Sequence, residues 1–199
     1  MRRFAPMLAL AMSMLFAGAS AAYAAKKVKV PMTLVDENGV GKSVGTITLS
    51  DSKDGVTIAT DLKGLPPGEH GFHMHEKPSC DPADKDGKKT AAQAAGGHFD
   101  PDGTKAHKGP GGGGHKGDLP KLEVTDKGAS KQKLDVAGLK LADMEGHSLM
   151  IHEGGDNYSD TPKPLGGGGA RVACGVIGPA PAAAAAPAEK KPAEKKPAK

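Results

Sequence analysis

Between residues 27 and 62 the apolar side chains come at every second position, and turn residues interrupt them at short intervals. Val28, Val30, Met32 and Leu34 fall on one face of an extended chain; Ile47 and Leu49 follow, then Val56, Ile58 and Leu62. The breaks are Asp36-Glu37-Asn38-Gly39 and Asp51-Ser52-Lys53-Asp54-Gly55. Side chains alternate across a strand, and Asn-Gly or Asp-Gly between two alternating runs is a strong hairpin signal. Further strands are predicted over 70–76, 121–125, 132–136, 147–153 and 171–177. That makes about eight short strands and no amphipathic helix, so the fold class is all-β: an antiparallel sandwich or flattened barrel.

The two ends do not belong to this pattern. Residues 1–24 read as a secretory signal peptide, with Arg2 and Arg3, an uncharged apolar stretch from Met7 to Ala17, and a small-x-small cleavage site at Ala22-Tyr23-Ala24. The apolar stretch is shorter than the roughly 20 residues of a spanning helix, which predicts no transmembrane anchor in the mature protein. From Pro179 onward the chain is alanine, proline and charge, with Pro-Ala-Glu-Lys-Lys at 187–191 repeated at 192–196. Such a composition cannot build a core, so 179–199 is expected to be a disordered, solvated tail; its positive charge also suits contact with an anionic envelope surface. Without these ends, residues 25–178 hold 20 basic and 21 acidic side chains and form one domain. Near-neutral charge, with no basic stripe interleaved with aromatics, argues against a nucleic-acid partner. Cys80 and Cys174, the only cysteines, are most simply one disulfide in an exported protein.

Two long segments, 77–120 and 154–170, are glycine-rich and nearly free of apolar runs, which marks them as functional loops rather than core. The histidines suggest what orders them. In Gly71-Phe72-His73-Met74-His75-Glu76, Phe72 and Met74 point inward, so His73 and His75 share the outer face of one strand as a pair of metal ligands. By the same parity Leu149 and Ile151 face inward and His152 outward. His70 has the parity of Phe72 and is expected to be structural; His147 has the parity of Leu149 and is assigned no function. The loop from 96 to 118 carries His98, His107, His115 and Asp118, three nitrogens and one oxygen that suit tetrahedral zinc. Binding energy would then serve as ordering energy for a loop without a core. The glycine runs at 111–114 and 166–169 read as flexible turns. No phosphate-loop or His-Glu-x-x-His motif is present.

Four long stretches, "GEHGFHMHEKPSCDP", "GGHFDPDGTKAHKGPGGGGHKGDLP", "IHEGGDNYSD" and "PKPLGGGGARVACGVIG", resemble the copper/zinc superoxide dismutases, in particular their secreted bacterial branch. The resemblance covers residues 28–178. It implies an eight-stranded Greek-key sandwich or flattened barrel, immunoglobulin-like in its layering, with two long functional loops. It implies copper on His73, His75, His98 and His152, and zinc on His98, His107, His115 and Asp118, one ion of each per subunit, with His98 bridging. Asp156 would join the outer nitrogens of ligands on the two metals, Cys80 and Cys174 would form the family disulfide, and Arg171 would draw the anion toward copper. The implied reaction is dismutation of superoxide to dioxygen and hydrogen peroxide, as antioxidant defence in the periplasm, by a monomer or a homodimer. The 154–170 loop holds one lysine, Lys163, so Lys85, Lys88 and Lys89 are expected to steer the substrate instead. The competing readings are a metal-buffering protein with the same ligands, a copper chaperone, which would typically lack a ligand that this chain has, and an interaction protein acting through the lysine tail.

Overall fold

The computed structural model describes residues 26–178. The leader expected over 1–24 and the tail over 179–199 lie outside the described residues, and among those described no helix is long and apolar enough to cross a membrane.

The alternating segment forms three long strands, β1 (Lys27–Asp36), β2 (Gly39–Asp51) and β3 (Gly55–Lys63), joined by the two turns the sequence marks. Asp36 fastens the first of these by accepting from the backbone N–H of Asn38 (2.7 Å) and Gly39 (3.1 Å). The strand expected over 70–76 is broken at Gly71 into β4 (Gly68–His70) and β5 (Phe72–His75). The chain then forms a hairpin of β6 (Ala83–Lys85) and β7 (Lys88–Thr90), β8 (Leu122–Val124), β9 (Ala129–Ser130), β10 (Lys133–Ala137), β11 (Ser148–His152) and β12 (Arg171–Val176). A single α-helical turn, Leu141–Met144, precedes β11.

The main sheet runs β10-β3-β2-β1-β12-β11-β5, all antiparallel where paired, with β9 also on β3. β4 pairs with β8, and β8 turns back into β9, so the sheet curls round to meet itself through this short link. The result is a flattened antiparallel barrel in which β1–β12, β3–β10 and β5–β11 are neighbours joined by long connections, as in a Greek key.

Its interior holds Val30, Met32, Ile47, Leu49, Ile58, Leu62, Phe72, Met74, Leu149 and Ile151, the residues whose parity pointed inward. The outer face of β1, β12, β11 and β5 is not left wet. Val35, Met150 and Cys174 on that face pack with Ala92 and Ala95 of the long loop in a second, smaller apolar cluster. The Cys80–Cys174 disulfide pins the loop there. The loop thus lies across the same face that presents His73, His75 and His152.

Candidate metal centre

His73 and His75 leave the outer face of β5 as alternation requires, yet both are fully buried, because the loop carrying His98 covers them. His75 forms an isolated antiparallel bridge with His98, and β11 lies on the other side of β5, ending at His152. Four ring nitrogens converge between these segments: Nδ1 of His73 and Nε2 of His75, His98 and His152. All four are buried and lack a hydrogen-bond partner, a costly state unless a cation takes their lone pairs. The opposite nitrogen of each ring fixes the tautomer. His73 Nε2 donates to Asp156 Oδ2 (2.7 Å), His75 Nδ1 to the Gly96 carbonyl (3.0 Å) and His152 Nδ1 to the Gly169 carbonyl (3.3 Å). Burial pushes His73 below the ordinary histidine range, His75 and His152 well below it, and His98 down to about 4. The rings are therefore neutral at pH 7 and free to ligate; four imidazoles suit copper.

The other nitrogen of His98 belongs to a second set. Nδ1 of His98, His107 and His115 lie 3.0, 2.9 and 3.1 Å from one oxygen, Asp118 Oδ1. A tetrahedral zinc with ligands at about 2.0–2.1 Å has ligand–ligand edges near 3.3 Å, so this set fits after opening by a few tenths of an ångström. Burial opposes a charge on His107, but the hydrogen bonds to Asp118 and Asp156 outweigh burial and raise it to about 9. Burial likewise opposes the charge on Asp118, and the bonds from His107 and His98 outweigh it, holding the carboxyl well below its usual range. Within each set all ligand atoms lie within 4.8 Å of one another.

Asp156 joins the two sets: Oδ2 accepts from His73 and Oδ1 from His107 (2.8 Å) and from the Tyr158 N–H (2.7 Å). Several residues that hold it there escaped sequence reasoning. Tyr158 lies across Gly109, where a Cβ would come 2.6 Å from its ring, and its hydroxyl accepts from the Lys121 N–H (3.1 Å). Gly166, at φ +70°, faces Asp156 so closely that a Cβ would sit 2.0 Å from Oδ1 and 2.8 Å from His107 Nε2. A Cβ on Gly168 would meet the His152 ring at 3.2 Å. Within the 166–169 run, Gly166 is thus a steric necessity and Gly168 a tight fit, whereas Gly167 and Gly169 have room for a Cβ.

Arg171 begins β12, three residues before Cys174, and is half-buried. Its Nη1 donates to the Ala92 carbonyl and its Nη2 to the Gly96 carbonyl, both at 2.6 Å. Gly96 therefore accepts from both Arg171 and His75, which ties the guanidinium to a ring of the four-nitrogen set. Arg171 also disfavours protonation of His75 and His152, in addition to burial.

The structure brings together every ligand candidate read from the sequence, with Asp156, Arg171 and the disulfide beside them. His70 lies outside both sets, as its parity implied: Nδ1 and Nε2 contact the carbonyls of His152 (2.6 Å) and Pro66 (2.8 Å). Lys88 and Lys89 stand exposed on the β6–β7 hairpin, with Lys85 at its other strand. That hairpin lies inside a segment read as loop.

Residues 43–177 match the family described as copper/zinc superoxide dismutase. The chain is 55% identical to the Cu-Zn superoxide dismutase of Escherichia coli K12 over 150 residues, 75% of this chain and 87% of that protein. It is 53% identical to a Cu-Zn superoxide dismutase of Salmonella typhimurium over 171 residues, 85% and 98%. Among solved structures, the Cu/Zn superoxide dismutase from Brucella abortus superposes with a TM-score of 0.76 at 50% identity, covering 77% of this chain and all of that one. The monomeric copper, zinc superoxide dismutase from Salmonella enterica gives 0.70 at 52% identity, with the same coverage. With its barrel, its two convergent ligand sets and these relatives, the chain belongs to the copper/zinc superoxide dismutase family, oxidoreductases whose cofactors are copper and zinc.

Proposed function

We propose that this protein dismutes superoxide in the bacterial cell envelope, two superoxide anions and two protons giving one dioxygen and one hydrogen peroxide. The observation that carries this reading is the set of four buried nitrogens without partners, at His73, His75, His98 and His152, next to a guanidinium held by carbonyls. These four residues hold the copper, which when bound supplies the one-electron couple that dismutation requires. His98, His107, His115 and Asp118 hold the zinc.

Each side chain then has a defined task. Arg171, charged and fixed by Ala92 and Gly96, binds the small anion and orients it toward the four-nitrogen set. His98 links both sets; its Nε2 carries a proton in one half of the cycle and delivers it to the departing peroxide, while its Nδ1 stays on the Asp118 side. Asp156 keeps the His73 and His107 rings in their tautomers throughout. Both ligand sets lie within one chain, so a monomer suffices for the chemistry. Residues 1–24 are the leader, 25–178 the dismutase domain and 179–199 the tail; the periplasm is the site of action, in keeping with the bacterial relatives.

The test is superoxide disappearance catalysed by the mature chain loaded with copper and zinc, beside His152→Ala. A fast rate that collapses in the variant is expected. Full loading of both metals without turnover would refute the enzymatic role and leave a metal-buffering one. Fractionation of cells expressing the full chain checks the compartment.

A further inference from the structure

His147, assigned no function on its parity, sits where two ligand-bearing segments meet. Its backbone is fixed at the start of β11, its carbonyl accepting from the Ile177 N–H (2.9 Å). From there the side chain crosses the edge of β5. Nδ1 donates to the carbonyl of Glu76 (2.7 Å), the residue after His75, and the ring lies on Phe99, the residue after His98, with centroids 4.2 Å apart.

The two segments also meet directly, through the bond from His75 Nδ1 to Gly96 and that from the Lys77 N–H to Ala95 (3.0 Å) among others. The Glu76 N–H donates to Gly97 (3.1 Å) and the Phe99 N–H to Met74 (2.9 Å). The Glu76 carboxylate accepts from the Gly97 N–H (3.2 Å). Phe99 itself packs on the barrel core, opposite in direction to His98. A ring pressed on Phe99 from the barrel edge therefore holds the backbone that aims His98, and the bond to Glu76 holds the backbone that aims His75. A strap from β11 across β5 closes the fork between the two imidazoles, whose centroids are 5.2 Å apart.

We propose that His147 is a positioning residue of the copper centre, setting the relative placement of His75 and His98 without touching either. This rests on the reading of His75 and His98 as copper ligands. Outer partners of metal ligands typically change metal affinity by about 10–100-fold. The test compares wild type, His147→Ala, His147→Gln and His147→Phe, each loaded with zinc and one equivalent of Cu(II). The readouts are the Cu(II) electron paramagnetic resonance spectrum and the rate of copper loss to a competing chelator. Expected are an altered hyperfine splitting and about 10-fold faster copper loss in His147→Ala. The glutamine, which can still donate to Glu76, and the phenylalanine, which can still cover Phe99, should each restore part of the wild-type signature. A native spectrum and release rate in His147→Ala, even with a lowered melting temperature, would overturn the proposal. Should that variant not fold, native spectra and rates in both other variants would overturn it equally. A wild type that takes up no copper would instead sink the ligand reading itself.

Discussion

Gly166→Ala is a one-methyl change that should disturb both ligand sets without replacing a ligand, the new Cβ crowding Asp156 and the outer nitrogen of His107. The new Cβ would lie 2.0 Å from Asp156 Oδ1, and carbon and oxygen do not approach closer than about 3 Å, so the carboxylate must retreat by about 1 Å. Its bonds to His73 (2.7 Å) and His107 (2.8 Å) would then stretch beyond about 3.5 Å, where they cease to be hydrogen bonds. The backbone cannot give way easily, since φ +70° already costs a residue with a Cβ about 1–2 kcal/mol. Overpacking adds about 1–3 kcal/mol, for a total near 2–5 kcal/mol of fold stability. Loss of the shared outer partner should weaken zinc binding by about 10–100-fold. Zinc affinity, measured by competition with a chromophoric chelator, should fall in Gly166→Ala and in Asp156→Asn to a similar extent. Because both act on one carboxylate, the double variant should be little worse than either single one. Wild-type zinc affinity in Gly166→Ala, or additive losses in the double variant, would refute the steric reasoning.

Three further outcomes follow from the same geometry. Replacing Cys80 and Cys174 by serine opens a loop of 94 residues and should cost about 4–5 kcal/mol in urea unfolding; turnover should fall too, since Ala92 and Gly96, which orient Arg171, lie on the freed loop, and an undiminished kcat/KM would contradict that. In the metal-free chain, His107 is raised from 6.5 to about 9, so its contribution to stability is complete below pH 6.5 and is lost as pH rises through about 9; zinc takes the place of the proton at Nδ1, and urea midpoints at pH 6 and 9.5 should show this alkaline loss only without zinc. Serine at Lys85, Lys88 and Lys89 together should slow the reaction at low ionic strength and flatten its salt dependence, and an unchanged rate and salt profile would remove these lysines from substrate steering.

The barrel was legible wherever burial imposes a period. β1, β2 and β3 follow from alternation and their turns, and the outward parity of His73, His75 and His152 follows from Phe72, Met74, Leu149 and Ile151. The β6–β7 hairpin was not legible, although Asp86-Gly87 marks its turn, because its side chains are mostly exposed and carry no apolar period. The ligand types and spacing stand in the sequence, but what shapes the site around them does not. Gly96 matters through its carbonyl, Gly166 through the room it leaves, and Tyr158 through a backbone N–H, and none of these has a local sequence signature. The contacts of His147 with Glu76 and Phe99 were illegible for a related reason. Parity says which side of the sheet a residue takes, not which neighbour it reaches once a loop folds over the strand.

Tyr158 has an experimental consequence. The chain contains no tryptophan and two tyrosines, of which Tyr23 falls in the segment proposed as the leader. The mature protein is therefore left with one ultraviolet fluorophore of any strength, and it lies across Gly109, bonds to the Lys121 backbone and steadies Asp156. Its tyrosine emission comes from a single address where the two long loops meet. Changes where those loops meet as zinc arrives can thus be followed by tyrosine emission in unlabelled wild-type protein, with no tryptophan signal to subtract.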